Sequence, residues 1–259
     1  MAQLDDGFAA RVQSDVPHAA RIWNYWMGGK DNYAADRAAG DAVVRVYPEI
    51  AVMARESRGF LTRAVRYLAD EAGVAQFLDI GTGLPTMQNT HEIAPDAGVV
   101  YVDNDPLVLV HARALLTGGE GRTTYLHADY HEPRRILAEA AAMLDFDRPV
   151  AAMFMGVLGY EPDLDAVRDI VATVVDALAP GSFLVLWDGT NTSPSVVAGA
   201  DRLAESGGVP YVLRAPDELA SCFAGLEPVE PGLVPITRWR PPIADAPAID
   251  AYGAVARKP

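Results

Sequence analysis

Cys222 is the only cysteine, so no intrachain disulfide can form and no cysteine-rich zinc site can be built. That usage fits a reducing compartment, and the expected location is the cytoplasm. Lysine is nearly absent too: Lys30 and Lys258 are the only two, and the arginines form no basic run. Nucleic acids are bound by clustered Lys and Arg that neutralise phosphates. A formal net charge of −14 points away from such partners and towards a small, neutral or basic one. No apolar stretch reaches the ~18 residues of a membrane span, and the first fourteen residues, with Asp5 and Asp6, lack the apolar core of a signal peptide. Only His127 and His131 stand at HxxxH spacing, without the HExxH pattern of a helical zinc site, so no metal site is expected. Internal repeats and low-complexity tracts are missing as well.

What the chain does have is a hydrophobic half, enough for a sizeable core within 259 residues. From Gln76 onward, short apolar runs alternate with helical patterns, the mark of parallel βαβ units. The runs are Gln76–Ile80, Val99–Asp103, Thr123–Ala128, Val150–Met155 and Phe183–Asp188. Asp105-Pro106, Glu132-Pro133 and Ser193-Pro194 each place proline at a first helical position. A helix is expected over Leu164–Leu178, stopped by Pro180-Gly181, another over Ala215–Phe223, and strands over Leu226–Glu230 and Ala251–Arg257. The crossover rule then puts helices on both faces of one sheet.

The first 74 residues read as an all-helical cap or lid before an α/β domain over residues 75–259. Pro17 opens a helix with Ile22, Trp23, Trp26 and Met27 at helical spacing, ended by Gly28-Gly29. A short helix follows Asp31, and a third runs from Pro48 to about Ala72. Trp23 and Trp26 read as core more readily than as ligand contacts, and Arg58 as a solvated or structural arginine.

The sharpest chemical signal is Phe77-Leu78-Asp79-Ile80-Gly81-Thr82-Gly83 at the end of the first run. Glycines there permit a tight turn and a close approach of backbone to ligand. The second run ends in Asp103, twenty residues past Gly83, where a carboxylate can accept both ribose hydroxyls of an adenosine. The third ends in Ala128-Asp129, an acceptor for an adenine amino group. A dinucleotide dehydrogenase shares the first two features but wants a third glycine or alanine where this chain has Thr86, after Pro85. That glycine packs a helix whose N-terminus grips pyrophosphate. S-adenosylmethionine has no phosphate, so the Leu84-Pro85 turn favours the methyl donor.

Beyond these features, the chain resembles the S-adenosyl methyltransferase family long catalogued as a domain of unknown function. The resemblance rests on Pro17-His18-Ala19-Ala20-Arg21, Gly28-Gly29-Lys30-Asp31-Asn32-Tyr33, LDIGTGLPT (78–86), YVDNDP (101–106), GLVPITRWRP (232–241) and YGAVARKP (252–259). It implies a Rossmann-like class I methyltransferase fold with a seven-stranded, mostly parallel sheet whose last strand is antiparallel. It also implies S-adenosylmethionine over the first two strands, with S-adenosylhomocysteine as product and no assigned acceptor. The expected cofactor set is Asp79, Gly81, Thr82, Gly83, Asp103, Asn104, Asp129, Tyr130 and Met155, joined by Asn32 and Tyr33 of a lid loop. Two departures fall where the acceptor is expected. Gly159-Tyr160 stands where relatives usually carry His-Phe, and Trp187-Asp188-Gly189-Thr190 where they often show Ser-His. The Asp/Asn-Pro-Pro-Tyr signature of base and amide N-methyltransferases is absent.

Methyl transfer from a sulfonium needs alignment more than acid–base help, and a base only for a protonated acceptor. Candidates for that base are Tyr160, Glu161, His131 and Asp188. The expected activity is therefore methyl transfer to a small-molecule acceptor. Its rivals are a non-catalytic module that senses S-adenosylmethionine or S-adenosylhomocysteine and, behind it, an NAD(P)-dependent oxidoreductase.

Overall fold

Parallel strands covered by helices on both sides have no solvent face to mark with polar residues, which is why their runs are nearly continuous in apolar residues. The computed structural model describes residues 13–85, 88–108 and 122–259. Its parallel strands are β1 (Gln76–Ile80), β2 (Gly98–Asp103), β3 (Thr123–His127), β4 (Ala151–Met155) and β5 (Phe183–Gly189). They lie side by side in the order β3-β2-β1-β4-β5. Chain order reverses between β1 and β4, the switch point at which open α/β sheets bind ligands beyond the strand ends.

The far edge departs from the expected strands. β8 (Ala251–Arg257) runs antiparallel to β5, and its outer side takes two fragments, β6 (Glu227–Pro228) and β7 (Val234–Pro235). The expected strand over Leu226–Glu230 shrinks to two residues, and an eighth strand element is added to the seven expected. Pro228, Pro231 and Pro235 cannot donate to a ladder, so this edge pairs only in short pieces.

Three helices precede the sheet: α1 (Ala19–Trp26), α2 (Ala34–Val44) and α3 (Ile50–Arg66). The second is longer than expected. Its start is fixed by Asp36, which accepts the amides of Tyr33 and His18, both at 2.8 Å. The third continues through Glu71, but Tyr67–Glu71 winds as a π turn, with Tyr67 edge-on to Phe183 and Trp239. Between and after the strands come α4 (Thr90–Ile93), α5 (Pro133–Ala140), α6 (Leu164–Asp176), α7 (Pro194–Glu205) and α8 (Pro216–Ala220). The Ala215–Phe223 helix is thus α8 plus a 3₁₀ turn over Ser221–Phe223, and α6 stops short of Leu178. Lys258 donates to the carbonyls of Val175, Asp176 and Leu178 there, satisfying groups a helix end leaves open. After Pro106 the chain is helical over 106–108, and the rest of that expected helix lies outside the described residues, as does Thr86.

Strand alternation sorts the core into two layers. Phe77, Val99, Tyr101, Met153, Val185 and Trp187 face the N-terminal helices, meeting Ile22, Phe60 and Leu68. Their neighbours Leu78, Val100, Ala152, Phe154 and Leu186 face α5 and α6 through Ile136, Val167 and Val174. The N-terminal helices therefore share a core with the sheet. Among the described residues, no helix is long and apolar enough to cross a membrane.

One carboxylate ties the N-terminal helices to the start of α7 and the far edge of the sheet. Asp250 accepts from the buried Tyr47 hydroxyl at 3.0 Å, from Thr192 at 2.7 Å and from Ser193, the N-cap of α7, at 2.9 Å. Asp250→Ala strands a buried phenol, and the expected loss is about 2 kcal/mol. It should be read as a lower urea midpoint at unchanged slope.

Candidate active site

The turn after β1 is built around two glycines. Gly81 and Gly83 sit at φ +73° and +68°, a region costly for any residue with a Cβ. At Gly81 a Cβ would also stand 2.4 Å from the Val157 side chain. The amides of Gly81 and Thr82 donate to the Val102 carbonyl at 2.8 and 3.1 Å, latching the turn to β2. Asp103, at the end of β2, accepts from the Gly83 amide at 2.7 Å and from the Asp105 amide at 2.9 Å. Burial raises its pKa against the pull of those two amides.

Asp79 is 2% exposed. One carboxylate oxygen accepts from Thr90 at 3.3 Å, while Oδ1 has no hydrogen-bond partner. Burial pushes its pKa up to about 7, although Arg58 and Thr90 oppose the shift. At the end of β3, Asp129 accepts from the Asn104 side chain at 2.9 Å and from the His131 amide at 3.0 Å. Burial alone would raise its pKa, but the His131 amide, Asn104 and the His131 ring outweigh it and hold it below the ordinary range. The His131 ring lies between two acids, with Nδ1 on Asp129 and Nε2 2.8 Å from Glu161, and Tyr130 packs on it at 4.1 Å.

These groups open onto a cleft of about 320 Å³, within the range of small-molecule sites. Asp79, Gly81, Thr82, Gly83, Asp103, Asn104, Asp129, Tyr130, His131, Met155 and Tyr160 all line it. Four expected residues do not. Asn32 is a brace: its amide donates to Asn24 at 3.1 Å and to the Gly29 carbonyl at 3.0 Å. Tyr33 precedes α2 and lies under Arg21, 5.3 Å from the ring centre. Glu161 accepts from His131 and from the Asp163 amide. Asp188, 2% exposed, accepts from the Tyr211 hydroxyl behind the cleft wall.

Other lining residues carried no such expectation. Arg58 reaches the cleft from α3 and donates to the Gln88 carbonyl at 2.8 Å. Burial lowers its pKa while Asp79 opposes. His18, 2.9 Å from Asp105, forms part of the roof with Trp23 and Met27 of the first helical segment. The Pro17–Arg21 motif was the available signal for His18; nothing in a helical pattern distinguishes Arg58 from a surface arginine. Among the described residues, no group of three or more His, Cys, Asp or Glu is placed to hold a metal ion.

Comparison with known proteins bears on the chemistry of this cleft. A family model described as S-adenosyl methyltransferase matches residues 5–259. A solved structure from Streptomyces avermitilis MA-4680, described as a DUF574 family protein, is 43% identical with a TM-score of 0.90, covering 96% of this chain and 100% of that one. A candidate methyltransferase from Thermobifida fusca YX is 39% identical with a TM-score of 0.88, covering 100% and 99%. Mitomycin 7-O-methyltransferase, 19% identical, shares the fold at a TM-score of 0.55 over 92% of this chain and 68% of its own. No curated protein matches. The chain thus has the class I methyltransferase fold and belongs to the S-adenosyl methyltransferase family.

Proposed function

We propose that this protein transfers the methyl group of S-adenosylmethionine to a small-molecule acceptor, and that the cleft at the β1–β2 edge holds the donor. The observation carrying this reading is the pair of buried acids on adjacent strand ends, Asp79 and Asp103, opening onto one cleft beside a glycine turn. Asp79 offers an orphaned carboxylate oxygen, a place for a cation such as the donor's ammonium. Asp103 is held rigidly by two amides and keeps lone pairs for a vicinal diol. Arg58 lies near Asp79 and suits the carboxylate of the amino-acid end. Asn104, Asp129 and Tyr130 form the adenine end, and Met155 and Tyr160 the floor nearest the reacting centre. When bound, the donor supplies an electrophilic methyl on a good leaving group, so the chain's own task is orientation and exclusion of water. Trp23 and Met27 serve the second purpose from above.

His131 fits a positioning role better than that of a base. Burial lowers its pKa, but the carboxylates of Asp129 and Glu161 outweigh burial and raise it. An imidazolium donating from both nitrogens has no lone pair with which to take a proton. It instead fixes Asp129 and the stacked Tyr130 at the adenine end.

Two measurements test this. The Asp79 carboxyl titrates near 7 in the free protein, and a ligand ammonium favours its ionised form. Calorimetry should therefore show S-adenosylhomocysteine binding more tightly as pH rises from 6 to 8. In Asp79→Asn that slope should vanish, and in Asp103→Ala binding should weaken by roughly tenfold or more at every pH. Unchanged affinity in both variants would remove the reading. NMR titration should place His131 above the ordinary histidine value, and Glu161→Gln should bring it down. Because the folded value is raised, the associated stability is complete below the unfolded pKa and fades as pH climbs through the folded one.

A further inference from the structure

Charge is confined to one part of the cleft lining. In the donor reading above, on which this inference rests, Arg58 and Asp79 serve the amino-acid end. Asp103, Asp129 and His131 serve the ribose and adenine, with His18 held on Asp105 beside them. Away from these groups the lining is Trp23, Met27, Tyr160, Trp187 and Val209. The two tryptophans meet at 5.8 Å between ring centres, and Val209, 44% exposed, marks where this part opens to solvent. A nucleoside joined to an amino acid takes up most of about 320 Å³, so a second molecule meets the donor at this mouth. Behind the wall, Trp23, Tyr160 and Trp187 also border a hollow of about 50 Å³, lined by no charged side chain among the described residues. That hollow has room for about one water and takes no acceptor.

The mouth is rigidly built. The Val212 amide donates to the Gly159 carbonyl at 2.7 Å, and Arg214 donates to the carbonyls of Leu158 and Glu161. The Tyr211 hydroxyl lies 3.4 Å from the Gly156 carbonyl. A Cβ at Gly159 would run into the Tyr211 ring, and that ring meets Tyr160 edge-on at 4.9 Å. The segment that carries Val209 therefore also fixes Tyr160. Among the described residues the Tyr160 hydroxyl has no hydrogen-bond partner, which leaves one donor to be satisfied in an otherwise apolar mouth.

The chemistry of a molecule seated there follows from what the mouth lacks. Burial, Asp188 and Tyr130 raise the pKa of Tyr160, and burial and nearby acids raise that of Tyr130. Both phenols keep their protons, and neither accepts one. A hydroxyl or thiol must shed a proton to be methylated, and an aliphatic amine is already protonated at neutral pH. A carboxylate would meet no counter-charge. A ring nitrogen of an aromatic heterocycle is uncharged with its lone pair free, and indole and phenol faces stack on such a ring. We infer that the methyl acceptor is an uncharged nitrogen heteroaromatic seated between Trp23, Met27 and Val209, with the Tyr160 hydroxyl donating to a polar atom other than the attacking nitrogen. The nitrogen lone pair forms the bond to the methyl carbon as the sulfur–carbon bond breaks, whose electron pair stays on sulfur. Positive charge passes from sulfur to nitrogen, and no proton leaves. The aromatic faces favour the cation before and after transfer.

The test uses the full chain saturated with S-adenosylhomocysteine and four bicyclic probes: isoquinoline, 1,6-naphthyridine, 2-naphthol and 2-naphthoate. Calorimetry should show isoquinoline binding, with 2-naphthoate roughly tenfold or more weaker. Val209→Trp, checked by thermal melting, should weaken isoquinoline about tenfold and leave S-adenosylhomocysteine binding intact. Tyr160→Phe should weaken 1,6-naphthyridine, whose second nitrogen accepts the hydrogen bond, by about five- to tenfold and isoquinoline hardly at all. With S-adenosylmethionine, isoquinoline should yield N-methylisoquinolinium at a kcat that is level between about pH 7 and pH 9, and 2-naphthol should yield no methyl ether. Methylation of 2-naphthol at a comparable rate, a kcat that climbs across that range, or 2-naphthoate binding as tightly as isoquinoline overturns the acceptor class. Isoquinoline binding unmoved by Val209→Trp overturns the mouth as its seat, and equal effects of Tyr160→Phe on both heterocycles overturn the hydrogen bond. If S-adenosylhomocysteine binds but isoquinoline does not, or binds without being methylated, this inference alone fails; if neither binds, the donor reading fails with it.

Discussion

The hydrogen bond from the Gly83 amide to the Asp103 carboxylate is the constraint on which the site depends. It joins the turn after β1 to the end of β2 and sets the width of the cleft floor between them. The Asp105 amide holds the other oxygen, so the carboxylate is fixed in orientation at the cleft. That arrangement costs stability, because a buried carboxylate has exchanged water for two amides. Neighbouring contacts offset part of the cost. The Val102 carbonyl takes the Gly81 and Thr82 amides, and Asp105 is paired with His18.

The same logic gives the N-terminal helices their place. They cover one face of the sheet with Ile22, Phe60 and Leu68, and they also bring His18, Trp23, Met27 and Arg58 over the carboxyl edge. Removing them would open the cleft and expose the core at once, so these helices and the sheet are joined by packing. Charge is distributed in keeping with this. A chain of net charge −14 places the buried acids Asp79 and Asp103 along the cleft and leaves the neighbouring hollow without a charged side chain.

Much of this was legible in the residues. The five parallel strands fall within a residue or so of the expected runs; burial on both faces leaves a continuous apolar signature in the inner strands, whereas the half-exposed edge strand β3 reads Thr-Thr-Tyr-Leu-His. Gly81, Gly83, Asp79 and Asp103 were legible because a turn at positive φ and an acid at a strand end are local features. Asn32 and Tyr33 were harder to place: the Gly28–Tyr33 loop braces on Asn24, and only the fold shows that neither residue lines the cleft. Asp188 illustrates the same limit. Trp187 aligns with Met155 on the face carrying Asp79 and Asp103, so its neighbour in β5 is directed to the other face, towards Arg214 and Cys222.

Local chemistry therefore determined the class of fold, the glycine turn and the acids around it, because each is written in a few adjacent residues and in strand periodicity. Tertiary structure alone decided that Arg58 and His18 reach the cleft, that Tyr211 backs onto Asp188, and that an uncharged hollow adjoins the cleft. Those contacts join residues far apart in the chain, and their existence depends on strand register and helix docking, neither of which any single segment encodes.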